Sequence, residues 1–190
     1  YFGSLFEREE VKDMLSLLSL LIDPWGNGLM RLAGHPLYQV PLNDVYLFLD
    51  HVREDEENSK KGAFNALCSF EQMDQLSDAG NQGLARLSAD INNIKKWQSP
   101  WKIVAHYLFD SSNYLEPLIG NRDQSSRNSL TLFHLLNFLR TQHPREGELH
   151  TVTLLNKVRL LVLLGEERSL SQIPAAALHV DAVKLMTVHG

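Results

Sequence analysis

Apolar residues recur along most of this chain at the three- and four-residue intervals of an α-helix face. The first stretch ends at Asp23-Pro24, because the residue before a proline is pushed out of the α region. Later stretches begin near Pro41 and after the capping residue Ser77, and the last ends at Gly165. The pattern predicts a mainly α fold with a bundle-like packing of successive helices. The apolar positions of the four clearest stripes are Val11, Met14, Leu15, Leu18, Leu21 and Ile22; Val45, Leu49 and Val52; Leu84, Leu87, Ile91 and Ile94; and Leu154, Val158, Leu161 and Leu164.

The two ends of the chain carry further local signals. Ser4 to Glu7 fits a capping box, with Ser at the cap and Glu three residues on, and so predicts the start of the first helix there. Residues 182–188 alternate between two faces and are rich in β-branched residues, which predicts a short strand. Tyr1-Phe2-Gly3 is interpreted as the stub of a second strand.

Two stretches inside the chain are predicted in more detail. Glu54 to Lys61 is charged and lacks apolar residues, so we expect an exposed loop. Ser99-Pro100 pairs a capping residue with proline at the first helical position, which predicts a helix start. A later helix is expected to bury Leu130, Phe133 and Leu136, with Leu132 and Leu139 flanking that stripe.

Composition limits the classes of protein that fit. The 190 residues carry a formal net charge of −5 and are 44% hydrophobic, which suits one or two domains with a real core and excludes a disordered chain. The negative charge argues against a strong free-standing nucleic-acid binder. The single Cys fits a reducing compartment, and no apolar run approaches the roughly 18–20 residues needed to span a bilayer. We therefore expect a cytoplasmic protein with no membrane partner.

Motifs for catalysis and for cofactor binding are missing from the sequence. A phosphate loop needs the pattern GxxxxGK[ST], whereas Lys60-Lys61-Gly62 has the wrong order. The eight His form no HExxH pair, and no Cys or carboxylate lies at ligand spacing from two of them. Trp97 and Trp101 are interpreted as core anchors, the alternative being rings that stack on nucleic-acid bases. We therefore predict no catalytic residue, metal ligand or cofactor site within this chain.

Three segments carry a resemblance to a known family. Residues 183–190, Val-Lys-Leu-Met-Thr-Val-His-Gly, look like the start of motif V of the UvrD/Rep/PcrA-type superfamily 1 DNA helicases. Residues 3–13 contain the run Phe-Glu-Arg-Glu-Glu-Val-Lys-Asp and resemble motif IVa of that family, where such a run opens a helix. Between them, residues 107–115, with Ser112-Asn113-Tyr114, resemble the family's Thr-Gly-Tyr segment. The order and spacing of the three segments are those of the family.

The resemblance implies how the chain is organised. In these helicases the segment between motifs IVa and V is a mostly helical insertion, subdomain 2B, which emerges from the RecA-like subdomain 2A. Residues 1–36 are therefore expected to be the end of 2A and to contain the motif IVa helix. Residues 37–175 are expected to form 2B, and residues 176–190 to return to 2A as a strand that runs into motif V.

The resemblance also implies a function for the parent protein. That protein would be an ATP-dependent DNA helicase that moves 3′ to 5′ on a single strand, uses Mg²⁺ and acts in unwinding, repair or replication. The chain itself is expected to be an accessory, regulatory subdomain without its own ATPase. In motif V of the family a Thr and a His contact the DNA backbone, and these positions are Thr187 and His189 here. A hydroxyl and an imidazole at a strand end can donate to phosphate.

Four residues match the charged positions of motif IVa: Glu7, Arg8, Lys12 and Asp13. The resemblance implies a structural role for them and a role in coupling between subdomains. The alternative is an ordinary charged helix start, in which a Glu near the N-terminus is favoured by the helix dipole.

Departures from the family pattern lead to a second hypothesis. The family's 2B often starts with a Gly-Ile-Gly element whose backbone amides meet duplex phosphates, whereas this chain has Tyr38-Gln39-Val40-Pro41-Leu42. Asn113 stands where a second element has Gly. Together with the acidic charge, these changes argue against a duplex contact by this region. They favour a helical protein-interaction module that recruits a DNA-repair partner.

Overall fold

The computed structural model describes residues 4–120, 122–142 and 150–166, with the side chains of all of these except residues 56–61, 119–120 and 122–127. The described residues form α-helices, a 3₁₀ helix at Leu5–Glu7 and a π-helical turn at Tyr107–Ser111, with no strand among them. This confirms the mainly α prediction. Both predicted strands, at residues 1–3 and 182–188, lie outside the described residues. The helices are α1 (Glu9–Ile22), α2 (Asn27–Ala33), α3 (Leu42–Glu54), α4 (Glu56–Cys68), α5 (Asp78–Ile94), α6 (Pro100–His106), α7 (Leu115–Gly120), α8 (Arg122–Thr141) and α9 (Thr151–Leu164).

Helix α1 is the centre of the fold and packs against α2, α4, α6, α8 and α9. Its Val11, Met14 and Leu18 are fully buried, as the stripe predicted, whereas Ile22 of the same stripe is 38% exposed at the last position of the helix. Leu17 and Leu20 lie off that stripe and are fully buried as well, because neighbouring helices contact α1 on several sides. Each buried leucine stabilises the fold by about 1.5–3 kcal/mol relative to an exposed one.

Capping chemistry predicted several helix ends correctly. The backbone N–H of Gly80 donates to Ser77 Oγ at the start of α5, over 3.0 Å. Pro100 is the first residue of α6, as the Ser99-Pro100 pair indicated. Gly165 follows α9 with a φ of 67°, the left-handed conformation in which helices commonly end on glycine.

The capping box predicted at Ser4 is wrong. Ser4 precedes the short 3₁₀ helix instead, α1 begins at Glu9 after Arg8, and the Ser4 hydroxyl has no hydrogen-bond partner among the described residues. The 3₁₀ turn carries Leu5 and Phe6 into the core, where Phe6 meets Phe138 of α8 edge to face, with ring centroids 5.4 Å apart. Burial of these two side chains, and not a capping hydrogen bond from Ser4, therefore determines the backbone conformation of this segment.

The exposed loop predicted at residues 54–61 is also wrong, because residues 56–61 are helical and open α4. Glu and Lys have high helix propensity, so a charged run forms a helix readily when a buried segment follows it. Gly62 interrupts α4 with φ 79° and ψ 163°. A side chain would be strained there, so glycine allows the direction of the helix to change.

The buried face predicted for α8 is wrong in part. Phe133 is 52% exposed, whereas Leu132, Leu135 and Leu139 are buried. Apolar residues occupy two adjacent faces of this helix, and contacts with α1, α6 and the 3₁₀ helix select which face is buried.

The predicted subdomain boundary at residue 36 falls in the loop between α2 and α3. Tyr38 and Val40 of this loop are buried in the same hydrophobic core as α1 and α2. The division into residues 1–36, 37–175 and 176–190 stays a prediction. None of the helices in the described ranges combines the length and the apolar character that crossing a membrane requires.

Candidate functional site

A close approach of α1 and α2 builds the site. A Cβ atom at Gly28 would lie 2.1 Å from the backbone oxygen of Ser16, so only glycine lets the two helices come this near. One turn further along α2, Arg31 faces α1. Its Nε donates to Asp13 Oδ1 over 2.6 Å and its Nη2 donates to Glu9 Oε2 over 2.6 Å.

Asp13 also forms a hydrogen bond with a residue that lies much later in the sequence. The hydroxyl of Tyr114 donates to Asp13 Oδ2 over 2.6 Å, and both side chains are buried, with Tyr114 only 1% exposed. The ring of His35 stacks on Tyr114, with centroids 4.8 Å apart, and its Nε2 lies 3.9 Å from Asp13 Oδ2. We call Glu9, Asp13, Arg31, His35 and Tyr114 the Asp13 cluster.

The Asp13 cluster perturbs the acidity of its members. Hydrogen bonds from Arg31 and then Lys12 lower the pKa of Glu9 to about 2. Burial raises the pKa of Tyr114 well above its ordinary value, and its hydrogen bond to Asp13 adds to this effect. Burial lowers the pKa of His35 against the opposing attraction of Asp13. The cluster is therefore held by two carboxylates, one guanidinium and one neutral phenol.

A cleft of about 630 Å³ opens beside the cluster. Glu9, Glu10, Asp13, Arg31 and Tyr114 contribute to its wall, and Glu10 is 9% exposed. Arg8, the residue before α1, lines the cleft as well. The cleft is thus mostly polar, and it is lined by the segment that carries the motif IVa resemblance.

The four residues that match motif IVa do not all lie at one site in the fold. Asp13 is at the centre of the cluster, and Arg8 is at the cleft. Lys12 is at the surface, where its Nζ lies 2.9 Å from Glu9 Oε1. Glu7 is exposed in the 3₁₀ helix and does not line the cleft. Thr187 and His189, the predicted DNA contacts, lie outside the described residues.

Sequence reasoning gave no role to Arg31, His35, Glu9 or to the hydroxyl of Tyr114. One signal for Glu9 was available, because Glu9 and Asp13 are four residues apart and therefore share a helix face. Arg31 and Tyr114 meet Asp13 only through the path of the folded chain. No spacing in the local sequence predicts that these two side chains contact Asp13.

The loop of residues 34–41 uses its backbone amides internally. The N–H groups of Tyr38 and Gln39 donate to the carbonyl of His35, and that of Val40 donates to Ala33, each over 2.9 Å. Pro41 has no N–H. Gln39 has a φ of 52°, a left-handed conformation that favours glycine. No amide from Tyr38 to Pro41 is therefore available for a phosphate.

A second polar cluster lies deeper in the core. Tyr38 donates its hydroxyl to Asp90 Oδ2 of α5 over 2.7 Å and shares a hydrogen bond of 2.8 Å with the hydroxyl of Tyr107. We call Tyr38, Asp90 and Tyr107 the Tyr38 cluster. Burial raises the pKa of Asp90 and also that of both tyrosines.

In the part of the chain that the structure describes, no group of three or more His, Cys, Asp or Glu side chains is placed to hold a metal ion. Comparison of the chain with protein-family models, with curated proteins and with solved structures finds no match.

Proposed function

We propose that this chain is a helical accessory subdomain of a UvrD/Rep-type superfamily 1 DNA helicase. ATP and Mg²⁺ would be bound by the RecA-like core of the parent protein, and the chain itself would regulate unwinding without hydrolysing ATP. The parent would act in the cytoplasm on DNA, with Thr187 and His189 of the motif V segment touching the backbone of a single strand.

The hydrogen bond between Asp13 and Tyr114 is the observation that carries this proposal. Asp13 belongs to the segment that resembles motif IVa, and Tyr114 to the segment that resembles Thr-Gly-Tyr. They are 101 residues apart, yet their side chains meet in a buried bond of 2.6 Å. Two accidental resemblances would have no reason to meet in space, whereas two parts of one inherited site would.

The backbone at Gln39 supports the same proposal. The resemblance places the family's Gly-Ile-Gly element at residues 38–42. Gln39 holds a φ of 52° in this loop, although a left-handed residue other than glycine is uncommon and costs free energy. A loop whose shape was set by glycine, and in which the glycine was later replaced, explains this conformation.

The coding sequence on either side of the chain tests the proposal. We expect a GxxxxGK[ST] phosphate loop upstream, because the family's ATPase core requires one. Directly after Gly190 we expect a small residue followed by Lys-Gly-Leu-Glu-Phe, which completes motif V. A gene without an upstream phosphate loop, or with an unrelated continuation after Gly190, would contradict the proposal.

A second candidate function is a protein-interaction module that recruits a DNA-repair partner. The internally bonded amides of Tyr38, Gln39 and Val40 favour it, because they remove the donors that a duplex contact would use. Titration of labelled duplex at rising salt separates the two candidates. A falling log K with log salt indicates phosphate contacts, whereas a slope near zero indicates none and supports the protein-interaction module.

A further inference from the structure

The chain between Asp90 and Asp110 contains no acidic residue. Residues 91–109 carry three lysines, at positions 95, 96 and 102, although the formal net charge of the whole chain is −5. The two flanking carboxylates contact other side chains, Asp90 the hydroxyl of Tyr38 and Asp110 the imidazole of His106. The segment that forms the corner between α5 and α6 is therefore basic, in contrast to the chain as a whole.

The ring of Trp97 brings two of these lysines together at the corner. The Nζ atoms of Lys96 and Lys102 lie 5.3 and 5.6 Å from the centroid of the ring. The imidazole of His106 stacks on the same ring, with centroids 4.2 Å apart. Trp97 itself is partly buried against the core, whereas Lys96 and Lys102 are exposed. We call Lys96, Trp97, Lys102 and His106 the Trp97 patch.

The lysines of this corner have no anionic partner. Among the described residues, none of the three forms an ion pair with a carboxylate. Lys95 Nζ donates to the neutral Asn92 Oδ1 over 2.9 Å, and Lys96 and Lys102 make cation–π contacts with Trp97. Such contacts are weak at exposed sites and leave the N–H groups of an ammonium free to donate. Two exposed ammonium groups at one ring therefore attract an anion.

An exposed aromatic ring continues the patch along the chain. Lys102, His106 and Phe109 follow one another at intervals of four and three residues, through α6 and into the π-helical turn. This spacing places side chains on one helix face, and Phe109 is 64% exposed. Cations beside an exposed aromatic ring are typical of surfaces that bind single-stranded nucleic acids, because the cations bind phosphates and a base stacks on the ring.

We propose that the Trp97 patch and Phe109 bind a single-stranded nucleic acid, with the ammonium groups of Lys96 and Lys102 on its phosphates and the Phe109 ring against a base. The contact uses none of the amides of residues 38–42, which are bonded within their own loop. The inference rests on this surface alone and not on the proposed function. A gene that contradicts the helicase proposal would leave it standing, and loss of this contact would leave the helicase proposal standing.

An acidic peptide and a nucleic-acid duplex fit this surface less well. Lysine binds an anion as a point charge, whereas the paired hydrogen bonds of arginine match a carboxylate best, and the Trp97 patch contains no arginine. A carboxylate also has no use for the exposed ring of Phe109. A duplex keeps its bases stacked on one another, so it offers no free base to that ring.

Packing of the lysine stems on Trp97 is the competing explanation for the patch. In that case Lys96 and Lys102 stabilise the fold, and replacing both with Gln lowers the unfolding temperature by several degrees. If the lysines serve binding, the same double variant unfolds at the same or a higher temperature than the wild type, because it removes two like charges that lie close together.

The binding test follows the anisotropy of a short fluorescein-labelled oligo(dT) as the 190-residue chain is added at several salt concentrations. We expect saturable binding at low salt, with log K falling by about 0.7 for each phosphate contact per tenfold rise in salt. Lys96→Gln with Lys102→Gln should weaken binding about tenfold and make this slope shallower by about 1.4. Phe109→Ala should weaken binding by at least about fivefold with an unchanged slope, because it removes stacking and no charge.

Three control variants accompany the test. Lys157→Gln with Arg159→Gln removes the same two charges from an exposed part of α9 and should keep the wild-type slope. Lys96→Arg with Lys102→Arg preserves the charges of the patch and should bind within about twofold of the wild type. Tyr46→Ala removes an exposed aromatic ring from α3 and should leave binding unchanged.

Four results would overturn the inference. They are the absence of saturable binding at low salt, equal losses for the patch and α9 double variants, a lower unfolding temperature of Lys96→Gln with Lys102→Gln at unchanged binding, and tighter binding of either a duplex or an oligoglutamate of equal charge than of oligo(dT). The last comparison uses only wild-type protein, so it decides the question even if a variant folds poorly. DNA and RNA strands share the chemistry of the proposed contact, and the same titration with oligo(rU) shows which of them binds more tightly.

Discussion

The Asp13 cluster and the Tyr38 cluster meet at neighbouring tyrosines but are held together differently. Tyr107 of the Tyr38 cluster and Tyr114 of the Asp13 cluster have ring centroids 6.0 Å apart. The Asp13 cluster combines two carboxylates with a guanidinium at the edge of an open cleft. The Tyr38 cluster has one carboxylate and two phenols, and no cation pairs with Asp90 among the described residues.

The two clusters therefore hold the same segment, residues 107–114, in different ways. The Tyr38 cluster fixes residues 107–114 against α5 by hydrogen bonds within the core, where a change of charge is costly. The Asp13 cluster attaches the end of the same segment to α1 through the buried hydrogen bond between Tyr114 and Asp13, and Asp13 is linked to α2 by Arg31, which is partly exposed at the edge of the cleft. We therefore expect the Tyr38 cluster to anchor this segment within the core, and the Asp13 cluster to hold the end of the segment at the edge of the cleft.

Removal of the Asp13 carboxylate should have the largest effect. Asp13→Ala leaves the Nε of Arg31 and the buried hydroxyl of Tyr114 without their acceptor, while Arg31 keeps its ion pair with Glu9. We expect a loss of about 3–5 kcal/mol in the free energy of unfolding, as for other buried pairs that lose one partner. Urea unfolding followed by circular dichroism measures this loss.

The matched control is Asp50→Ala, because Asp50 also pairs with an arginine, Arg53, but at the surface. Its loss should be below about 1 kcal/mol. Similar losses for the two variants would show that the Asp13 cluster is an ordinary surface ion pair.

Loss of one tyrosine hydroxyl from each cluster should rank next. Tyr38→Phe removes hydrogen bonds to both Asp90 and Tyr107, and we expect it to cost about 2–3 kcal/mol. Tyr114→Phe leaves Asp13 paired with Arg31 and should cost about 1–2 kcal/mol. The exposed Tyr46 provides the control, since Tyr46→Phe should be neutral. The reverse order of Tyr38→Phe and Tyr114→Phe would contradict the assignment of the core cluster as the stronger anchor.

Lowering the pH should decrease the contribution of Glu9 in the Asp13 cluster to the stability of the fold, and increase that of Asp90 in the Tyr38 cluster. The pKa of Glu9 falls from 4.5 to about 2 on folding, so its ionised form stabilises the fold above pH 4.5 and loses this effect as the pH falls toward about 2. The pKa of Asp90 is raised above 3.8 by burial. Its stabilising contribution is therefore present below pH 3.8 and is lost as the pH rises through the raised pKa.

Urea unfolding of Glu9→Gln and Asp90→Asn between neutral pH and about pH 2 checks these signs. Glu9→Gln should be less stable than the wild type at neutral pH and equal to it at the acid end. Asp90→Asn should be more stable than the wild type at neutral pH, with an advantage that disappears below pH 3.8. Parallel curves for the two variants would show that the clusters do not differ in this way.

Removal of the surface charge next to the Asp13 cluster should have the smallest effect. Lys12 lies 2.9 Å from Glu9, but its side chain is 42% exposed and that of Glu9 is 70% exposed. Lys12→Ala should shift the thermal unfolding midpoint by less than about 2 °C, because water and salt screen such pairs. A shift as large as that of Asp13→Ala would place Lys12 in the cluster.

The helices of this fold are largely encoded in local sequence. Proline at the start of α6, Ser77 at the cap of α5 and glycine after α9 each restrict the backbone within a few residues. Two predictions failed where distant contacts outweighed local preference. The buried side chains of Leu5 and Phe6 overrode the capping box at Ser4, and the contacts of α8 selected a face that excludes Phe133.

The site was predicted only in part, for the same reason. Asp13 was singled out from the resemblance to motif IVa, but its partners Arg31 and Tyr114 are 18 and 101 residues away. Pairing over such distances depends on how the helices pack, and above all on Gly28, which lets α2 approach α1.

A strand-displacement assay tests the proposed function most directly. The full-length product of the gene that encodes this chain is mixed with a duplex that has a single-stranded 3′ tail, in the presence of ATP and Mg²⁺. The proposal predicts ATP-dependent unwinding of the 3′-tailed duplex and none of the 5′-tailed one. Absence of unwinding on both substrates, by a protein that is folded and stable under the assay conditions, would contradict the assignment of this chain to a UvrD/Rep-type helicase.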